Sequence, residues 1–320
     1  MSSIRTAVIG VGYLGRFHAQ KYAQNAKSEL VAVVDSRADA RDRVAAELAT
    51  RSVGDYRELL GKVDAVSVVT TTPAHFEIAA AFLRAGAHVL VEKPITEQPA
   101  EARELIDIAA KQCRVLQVGH LERFNPALRA AEPHLARPRF IESQRLAPYK
   151  ERGTDVNVVL DLMIHDIDLI QSITRSDIVA VDAIGSPVFS DEIDIANARI
   201  TFANGCVANT TASRVSLKSE RKLRIFEDAA YLSLDLQQKV LTLIRKRSSP
   251  PTPGQLPVVI EEASFEQGDA LASEIESFLD SIVQQKAPIV SGEDGLRALE
   301  TALRISAQVN AGLAARRAAS

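Results

Sequence analysis

The chain has 320 residues, of which 46% are hydrophobic and 25% charged, and its formal net charge is −3. This composition is typical of a globular protein long enough for two domains, and it excludes the basic field of a nucleic-acid-binding or polybasic membrane-binding protein. No apolar run approaches the roughly 18 residues that span a bilayer, and the two cysteines, Cys113 and Cys206, have no metal-ligand or disulfide pattern. We therefore expect a cytoplasmic protein with no nucleic-acid, membrane or metal partner.

The stretch from Ile4 to Asp35 has the pattern of a strand, a glycine turn, a helix and a second strand that ends on an acid. In a dinucleotide-binding βαβ unit the first glycine allows the tight turn, the second lets a pyrophosphate approach the backbone, and the third lets helix and strand pack closely. Asp35 follows the third glycine by 20 residues, which is the context that supports this interpretation. The turn predicted to bind the cofactor is Gly10-Val11-Gly12-Tyr13-Leu14-Gly15.

The residue at the end of the second strand favours NAD over NADP. The Asp35 carboxylate can accept hydrogen bonds from both ribose hydroxyls, but it would repel a 2′-phosphate, which carries about −1.5 to −2 charges at neutral pH. Ser36 and Arg37 follow at once and could instead hold a 2′-phosphate. The sequence therefore predicts NAD and leaves NADP open.

Short β-branched runs alternate with helical patterns up to about Val118, which predicts a doubly wound parallel sheet, the Rossmann fold, over residues 1–119. In such sheets ligands bind beyond the carboxyl ends of the strands. The later runs are Leu30 to Val34, Ala65 to Val69, His88 to Val91 and Arg114 to Val118.

Polar residues follow three of these strands and are therefore candidates for the site. The threonines after the third strand either cap the next helix or contact the cofactor. Lys93 precedes a proline that fixes its turn, so we expect its amine to project toward the nicotinamide. The candidates are Thr70, Thr71, Thr72 and His75 after the third strand, Glu92 and Lys93 after the fourth, and His120, Glu122, Arg123 and Asn125 after the last.

Residues 120–320 have the pattern of an α+β domain with a large, mainly antiparallel open sheet. A helix to about Leu135 precedes a strand from Arg139 to Leu146, and a connector from Ser248 to Pro257 follows the last predicted strand. Two amphipathic helices then close the chain, about Asp269 to Gln284 and Gly292 to Ala314. The remaining predicted strands are Ile178 to Ile184, Ile193 to Phe202, Cys206 to Arg214, Glu220 to Glu227, Ala230 to Asp235 and Lys239 to Arg245.

A helix predicted from Val158 to Thr174 carries polar residues on an otherwise apolar pattern. Asp161 and His165 are four residues apart, so both side chains lie on one helix face, and Asp168 lies one further turn along. Buried charges are rare unless they are paired or functional. From spacing alone, a structural Asp–His hydrogen bond and a functional site are equally open.

The glycine turn, the strand end Glu92-Lys93-Pro94 and the helix motif Asp161-Leu-Met-Ile-His165 together resemble the Gfo/Idh/MocA family, which includes glucose-fructose oxidoreductase and inositol dehydrogenase. The resemblance implies an NAD(P)-dependent dehydrogenase whose second domain forms a homodimer or homotetramer through its open sheet. It also implies that Lys93 lies near the nicotinamide and the substrate hydroxyl, that His165 is the acid/base, and that Asp161 is its partner and a substrate contact.

Two longer motifs, Val118 to Pro126 and Asp161 to Asp168, resemble the branch of that family that oxidises the 3-hydroxyl of UDP-N-acetylglucosamine. This implies a ketone product for a partner aminotransferase that makes a 3-amino sugar, as in lipopolysaccharide or lipid A biosynthesis. With such a substrate, His120, Glu122, Arg123 and Asn125 become candidate substrate-binding residues. Arg123, and also Arg145 or Arg152, could hold the diphosphate or form surface ion pairs.

The hypothesis for the reaction is hydride transfer from the carbon that bears a sugar hydroxyl to NAD, while a base takes the hydroxyl proton. An imidazole ordinarily titrates near neutral pH, so we assign His165 as the base and Lys93 as the group that polarises and positions, with the reverse assignment left open. A same-class alternative is a dehydrogenase of a free polyol or sugar. An alternative of another class is a non-catalytic NAD-binding sensor or scaffold, which would not need Lys93, Asp161 and His165 together.

Overall fold

A computed structural model describes residues 3–150, 156–249, 255–265 and 268–319 of the chain. Within these residues the strands are β1 (Ile4–Ile9), β2 (Ser28–Val34), β3 (Arg51–Val53), β4 (Ala65–Val68), β5 (His88–Glu92), β6 (Leu116–Gly119), β7 (Phe140–Leu146), β8 (Ile178–Ser186), β9 (Ile195–Phe202), β10 (Val207–Ser213), β11 (Glu220–Phe226), β12 (Ala230–Asp235), β13 (Val240–Lys246) and β14 (Val258–Ser264). The helices are α1 (Tyr13–Gln24), α2 (Ala38–Leu48), α3 (His75–Arg84), α4 (Pro99–Lys111), α5 (Pro126–Ala131), α6 (Ile164–Thr174), α7 (Ala270–Val283) and α8 (Gly292–Ala319).

The chain forms two units, the first from Met1–Leu121 with Asp269–Arg297 and the second from Glu122–Gly268 with Ala298–Ser320. The first contains a parallel sheet in the order β3-β2-β1-β4-β5-β6, which is the doubly wound order that reverses direction next to β1. Its inner strands, such as β1 and β4, are short and are buried on both faces, as expected when helices cover both sides. The predicted Rossmann sheet is confirmed, with β3 as an additional short edge strand.

The assignment of residues 120–320 to a single second domain differs from the structure at α7. This helix belongs to the first unit, where Ile275, Phe278 and Leu279 pack with Val8 and other residues of that core. Periodicity correctly predicted an amphipathic helix here, but it does not state which core the apolar face covers. The contacts with the first core decide the assignment.

The second unit contains a sheet in the order β14-β13-β12-β11-β7-β10-β9-β8. All neighbouring pairs are antiparallel except β7 and β10, which run parallel. Buried and exposed residues alternate along β7, β12 and β13, so one face of the sheet packs on a core that includes α6 and part of α8. The mainly antiparallel sheet predicted from the sequence is confirmed, and β14 is an edge strand that the sequence analysis did not predict.

None of the helices in the described part of the chain is long and apolar enough to cross a membrane.

Candidate functional site

The glycine turn after β1 has backbone geometry that requires glycine at two of its positions. Gly10 has a φ of 87°, and a Cβ there would lie 2.6 Å from the carbonyl oxygen of Val69. A Cβ on Gly15 would lie 1.8 Å from the carbonyl oxygen of Gly10, so this glycine brings α1 close to β1. A Cβ on Gly12 would meet nothing within 4 Å. The space above Gly12 is therefore open, as the approach of a pyrophosphate requires.

The start of α1 offers backbone N–H donors to a ligand, and no acidic side chain of the first turn competes for them. Gly12 is its N-cap, no side chain caps it, and its first turn contains no acidic residue. The first backbone N–H groups of a helix have no partner within the helix and carry partial positive charge. Tyr13 and Leu14, which the sequence placed at the cofactor, are exposed beside this turn. The geometry fits a bound dinucleotide.

Asp35 lies directly after β2 with its carboxylate against the glycine turn. Its Oδ2 accepts a hydrogen bond from the Val11 amide at 3.0 Å, and its Oδ1 accepts one from the Arg37 amide at 2.9 Å. Each carboxylate oxygen keeps a lone pair for a ribose hydroxyl. Ser36 and Arg37 are exposed, and the Arg37 Nε lies 3.8 Å from Asp35 Oδ1. The carboxylate is therefore positioned as an NAD-binding acid should be.

Two residues after β4, His75 and Thr70, have buried polar groups. His75 is 1% exposed, and its ring nitrogens lie 2.9 Å from the carbonyl oxygen of Pro94 and 3.1 Å from that of Thr70. Burial lowers the pKa of His75 below its ordinary value. We interpret His75 as a bridge between the ends of β4 and β5, and its contact with the cofactor stays a prediction.

The threonines at this position do not cap α3 through their side chains. Thr71 precedes a short 3₁₀ turn that contains Thr72, and neither that turn nor α3 has a side-chain cap. The Thr70 hydroxyl is buried and has no hydrogen-bond partner among the described residues. A buried hydroxyl normally has a partner, so an unpartnered one at this strand end fits a ligand contact.

Glu92 is the last residue of β5 and Lys93 follows it, but the two side chains have different environments. Glu92 is 8% exposed, and its carboxylate accepts the Lys93 amide at 3.2 Å and lies 3.1 Å from Nε2 of His18. Within the protein, these contacts join Glu92 to α1 and to the backbone of Lys93, and its place at the cofactor stays a prediction. Lys93 is half-buried, and its peptide bond to Pro94 is cis.

The segment with Asp161 and His165 differs from the predicted regular helix. Residues Val159–Met163 form a π-helical turn, and α6 follows it. The side-chain oxygen of Asn157 accepts hydrogen bonds from the backbone N–H groups of Val159 and Leu160 and so caps the start of the π turn. A π turn has more residues per turn than the 3.6 that the spacing argument assumed, and such turns occur often at functional sites. Asp161 and His165 are both half-buried.

A buried ion-pair network occupies the second unit and includes two predicted substrate residues. Arg145 binds Asp166 through Nε and Nη2 at 3.0 and 2.9 Å, and its Nη1 lies 3.0 Å from Oε1 of Glu122. Although burial alone would raise it, the pKa of Glu122 is held below its ordinary value by Arg145 and Arg221. Asn125 caps α5 and donates to Glu122 at 3.2 Å.

These contacts revise the roles proposed for the stretch after β6. Arg145 is 3% exposed and its guanidinium is directed at two carboxylates, so it forms a buried ion pair rather than a surface one. Arg123 pairs with Asp168 at 3.5 Å and keeps some exposure, whereas His120 is buried at the end of the first unit. Arg152 lies outside the described residues.

Three buried titratable residues, His18, Glu274 and Asp166, were not among the predicted site residues. Asp166 lies in the stretch Asp161 to Asp168, in which a functional role was predicted for Asp161 and His165. His18 and Glu274 are 0% exposed. These residues could have been found from the sequence, because each is a titratable residue on a helix at a position where the pattern calls for an apolar one. Such a residue is usually part of an ion pair or a functional site.

The open turn over Gly12, the acid held beside it and the doubly wound sheet place the first unit in the class of NAD-binding oxidoreductase domains. Residues 4–120 match the family described as oxidoreductase family, NAD-binding Rossmann fold, and residues 128–233 match the GFO/IDH/MocA C-terminal domain. The chain belongs to the Gfo/Idh/MocA family of oxidoreductases. The predictions of the family and of an NAD-binding enzyme are confirmed.

The relatives include several sugar and polyol dehydrogenases. The UDP-N-acetylglucosamine 3-dehydrogenase of Acidithiobacillus ferrooxidans is 43% identical over 313 residues, which cover 97% of this chain and 99% of the relative. A solved structure of that enzyme has a TM-score of 0.90 at 41% identity and covers 97% of this chain and 99% of its own. A myo-inositol 2-dehydrogenase of Thermotoga maritima is 26% identical, over 92% of this chain and 93% of its own. Levoglucosan dehydrogenase, solved with NADH, shares the fold with a TM-score of 0.86 at 18% identity over 97% of each chain.

Proposed function

We propose that this protein oxidises the 3-hydroxyl of a UDP-N-acetylhexosamine to a ketone, with NAD as the hydride acceptor. The observation that carries the proposal is the 43% identity to a UDP-N-acetylglucosamine 3-dehydrogenase over nearly the full length of both chains. Lys93, Asp161 and His165 are all present, and the two that lie in the second unit are half-buried beside a π turn. A non-catalytic NAD-binding scaffold would not need this combination.

In this proposal each of the three residues has a separate task. His165 takes the proton of the sugar hydroxyl as the C–O bond becomes a carbonyl, and Asp161 orients the imidazole or the sugar. The Lys93 ammonium donates a hydrogen bond to the same hydroxyl oxygen and stabilises the negative charge that develops on it. NAD, when bound, accepts the hydride with its two electrons. The proton on His165 leaves to solvent after product release.

The diphosphate of the nucleotide sugar needs a cationic group in the second unit, and we assign that task to Arg123. Its side chain is 12% exposed, and its Nη1 lies 3.5 Å from Oδ1 of Asp168, a longer separation than those in the charged hydrogen bonds of Arg145. A guanidinium can donate two parallel hydrogen bonds to phosphate oxygens. His120, Glu122 and Asn125 then support this stretch, Glu122 and Asn125 through the buried network.

The test is a substrate screen that follows formation of NADH. UDP-N-acetylglucosamine and UDP-N-acetylgalactosamine should be oxidised, while free N-acetylglucosamine, glucose and myo-inositol should react far more slowly. Removal of the ketone by an aminotransferase should increase NADH formation, because it shifts the equilibrium toward product. Efficient oxidation of a free polyol without response to UDP-sugars would favour the polyol dehydrogenase alternative. NAD binding without turnover of any of these compounds would favour the sensor.

The same proposal includes two kinds of partner. An aminotransferase that accepts the 3-keto sugar is the functional partner. A second copy of the chain is the structural partner, since the edge strand β8 exposes Val179 and Ile184 at 58% and 59% and apolar exposure on a sheet marks interaction surfaces. Light scattering of the purified protein should give a dimer or tetramer, and a monomer at micromolar concentration would contradict this part.

A further inference from the structure

Three titratable side chains from three elements of the first unit meet in its interior. They are His18 on α1, Glu92 at the end of β5 and Glu274 on α7, here called the Glu92 cluster. One nitrogen or oxygen of each lies within 4.8 Å of those of the other two. His18 and Glu274 are 0% exposed and Glu92 is 8% exposed. The proposed reaction uses none of these groups directly.

A chain of hydrogen bonds from Tyr22 through Ser67 and His18 ends at Glu92. The Tyr22 hydroxyl lies 2.9 Å from Ser67 Oγ, which lies 3.3 Å from Nδ1 of His18. If Tyr22 donates to Ser67 and Ser67 donates to Nδ1, then Nε2–H of His18 donates to Glu92 at 3.1 Å. By contrast, neither carboxyl oxygen of Glu274 has a hydrogen-bond partner among the described residues.

The two carboxyl groups therefore differ in how their charge is compensated. Burial raises the pKa of Glu274 well above its ordinary value, and the charge of Glu92 raises it further. For Glu92, burial acts in the same direction, but the hydrogen bond from His18 and the charge of Lys93 outweigh it, so its pKa lies below the ordinary value. Two carboxylates this close in a dry interior do not both ionise. One proton on Glu274 resolves the conflict.

The position of Glu92 is fixed by its neighbours on the adjacent strand and turn. Gly119 pairs with Glu92 in the sheet, and a Cβ on Gly119 would lie 2.8 Å from Cδ of Glu92. The missing side chain leaves room for the carboxylate. The second oxygen of Glu92 accepts the Lys93 amide at 3.2 Å. The ionised carboxylate thus links α1, which begins at the dinucleotide turn, to the backbone of Lys93.

We propose that Glu274 is a positioning residue that carries a proton in the folded protein, so that Glu92 remains the single anion of the cluster and holds Lys93 in place. The inference rests on the proposed function to the extent that Lys93 takes part in the reaction. The titratable groups around Glu274 are Glu92 at the end of β5 and His18 and Tyr22 on α1, while the charge of Lys93 acts on Glu92. Burial raises the pKa of Tyr22, so its hydroxyl stays protonated. Ionisation of Glu274 at high pH would place two anions together and displace Glu92 from Lys93.

The first experiment measures the proton itself. Glu274→Gln keeps the shape of a protonated carboxyl but cannot ionise, and Glu274→Met provides a second neutral variant. The infrared spectrum of the wild-type protein at neutral pH should contain a protonated-carboxyl band that is lost in both variants. Glu276→Gln is the matched control on the same helix, because this side chain is half-exposed, and it should keep the band. A spectrum of Glu274→Gln with the same protonated-carboxyl absorption as the wild type would overturn the proposal.

The second experiment measures the stability and turnover that depend on this proton. Between the ordinary and the raised pKa the folded state binds one more proton than the unfolded state, so wild-type stability falls as pH rises through that window. In Glu274→Gln, the free energy of unfolding should lack this pH-dependent decrease. The wild-type kcat should decline by roughly tenfold per pH unit above the raised pKa, whereas the kcat of Glu274→Gln should not, and KM for NAD should stay unchanged.

The two proposals fail in distinguishable ways. If Lys93→Ala abolishes turnover but Glu274→Gln retains the wild-type alkaline decline, the positioning role is wrong and the proposed function stands. If the carboxyl band and the stability profile behave as expected but no sugar is oxidised, the proposed function is wrong and the proton assignment stands. A stoichiometric divalent cation in the purified protein that is lost in Glu274→Gln would mean that a metal, rather than a proton, compensates the cluster, and would overturn the proposal.

Discussion

The π turn and α6 carry four titratable side chains in two contrasting environments. Asp161 and His165 are half-buried, whereas Asp166 and Asp168 are each 2% exposed and are paired with Arg145 and Arg123. The four lie within eight residues of one another, so local sequence does not separate them. The difference shows that burial with a matched cation marks the acids that support the fold, while partial exposure leaves a group able to reach a substrate.

The buried ion pairs of Arg145 with Asp166 and Glu122 are not themselves a strong source of stability. Desolvation of a guanidinium and two carboxylates offsets most of their attraction, although loss of one partner leaves uncompensated charge in the interior. We therefore expect variants of the two sets to be detected by different assays: turnover for the half-buried residues and stability for the buried ones.

The largest effect expected is on catalysis by His165→Ala. A general base contributes about 10² to 10⁴ in rate, so kcat should fall by that factor while the melting temperature and NAD affinity stay close to wild type. Lys93→Ala should do comparable damage, and Asp161→Asn should lose much of the rate while keeping the shape. Steady-state kinetics and thermal unfolding on the same samples make the measurement.

Exposed residues of the same type are the controls for this prediction. His134→Ala and Lys62→Ala, both at exposed positions, should leave kcat unchanged. If His165→Ala lowered the melting temperature by several degrees and left kcat per folded molecule intact, His165 would belong with the structural residues and the contrast along α6 would disappear.

The second largest effect is on stability and comes from Arg145→Met. Removal of the guanidinium leaves Asp166 and Glu122 buried without their main cation, so the free energy of unfolding should fall by about 3 to 5 kcal/mol. Urea denaturation measures this change. The control is Arg139→Met, since the pair of Arg139 with Asp228 is exposed and should be worth at most about 1 kcal/mol. Equal losses in the two variants would contradict the distinction between buried and exposed pairs.

A smaller effect is expected for Arg123, which combines a buried acid partner with a proposed phosphate contact. UDP should compete with the sugar nucleotide, and Arg123→Ala should weaken UDP binding by about 1.5 to 3 kcal/mol through loss of a charged hydrogen bond. Arg129→Ala, at an exposed position, should leave UDP inhibition unchanged. A loss of stability with no change in UDP inhibition would place Arg123 with the structural ion pairs.

The smallest effect concerns cofactor selectivity at Asp35, in the first unit. Wild-type protein should bind NAD more tightly than NADP, and Asp35→Ala should narrow the gap by about 1 kcal/mol for each unit of repelled charge at 4 Å in a water-like environment. Titration with both cofactors measures the gap. Equal or tighter binding of NADP by the wild type would transfer the role to Ser36 and Arg37.

Several features of the fold and site were predictable because they depend on neighbours in the chain. The glycine turn needs its glycines for backbone reasons that hold in any such unit, and Asp35 follows at the spacing that one helix and one strand impose. The edge strands β3 and β14 were missed, because β3 has only three residues and β14 is mostly exposed, so neither shows a clear alternation of apolar and polar residues. The π turn was missed as well, since a spacing argument assumes regular helix geometry.

The sequence by itself determined the class of sheet in each half, the dinucleotide turn and the candidate residues Lys93, Asp161 and His165, because periodicity and turn chemistry are local properties. Only the tertiary structure decided that α7 packs on the first core, that Arg145 neutralises Asp166 and Glu122, and that Glu274 lies near Glu92 with no hydrogen bond to its carboxyl group from the described residues. The two ion pairs of Arg145 join residues 21 and 23 positions apart, whereas Glu92 and Glu274 are 182 positions apart and Val8 and Ile275 are 267 apart. Charge compensation depends on distance in space, which sequence spacing does not contain.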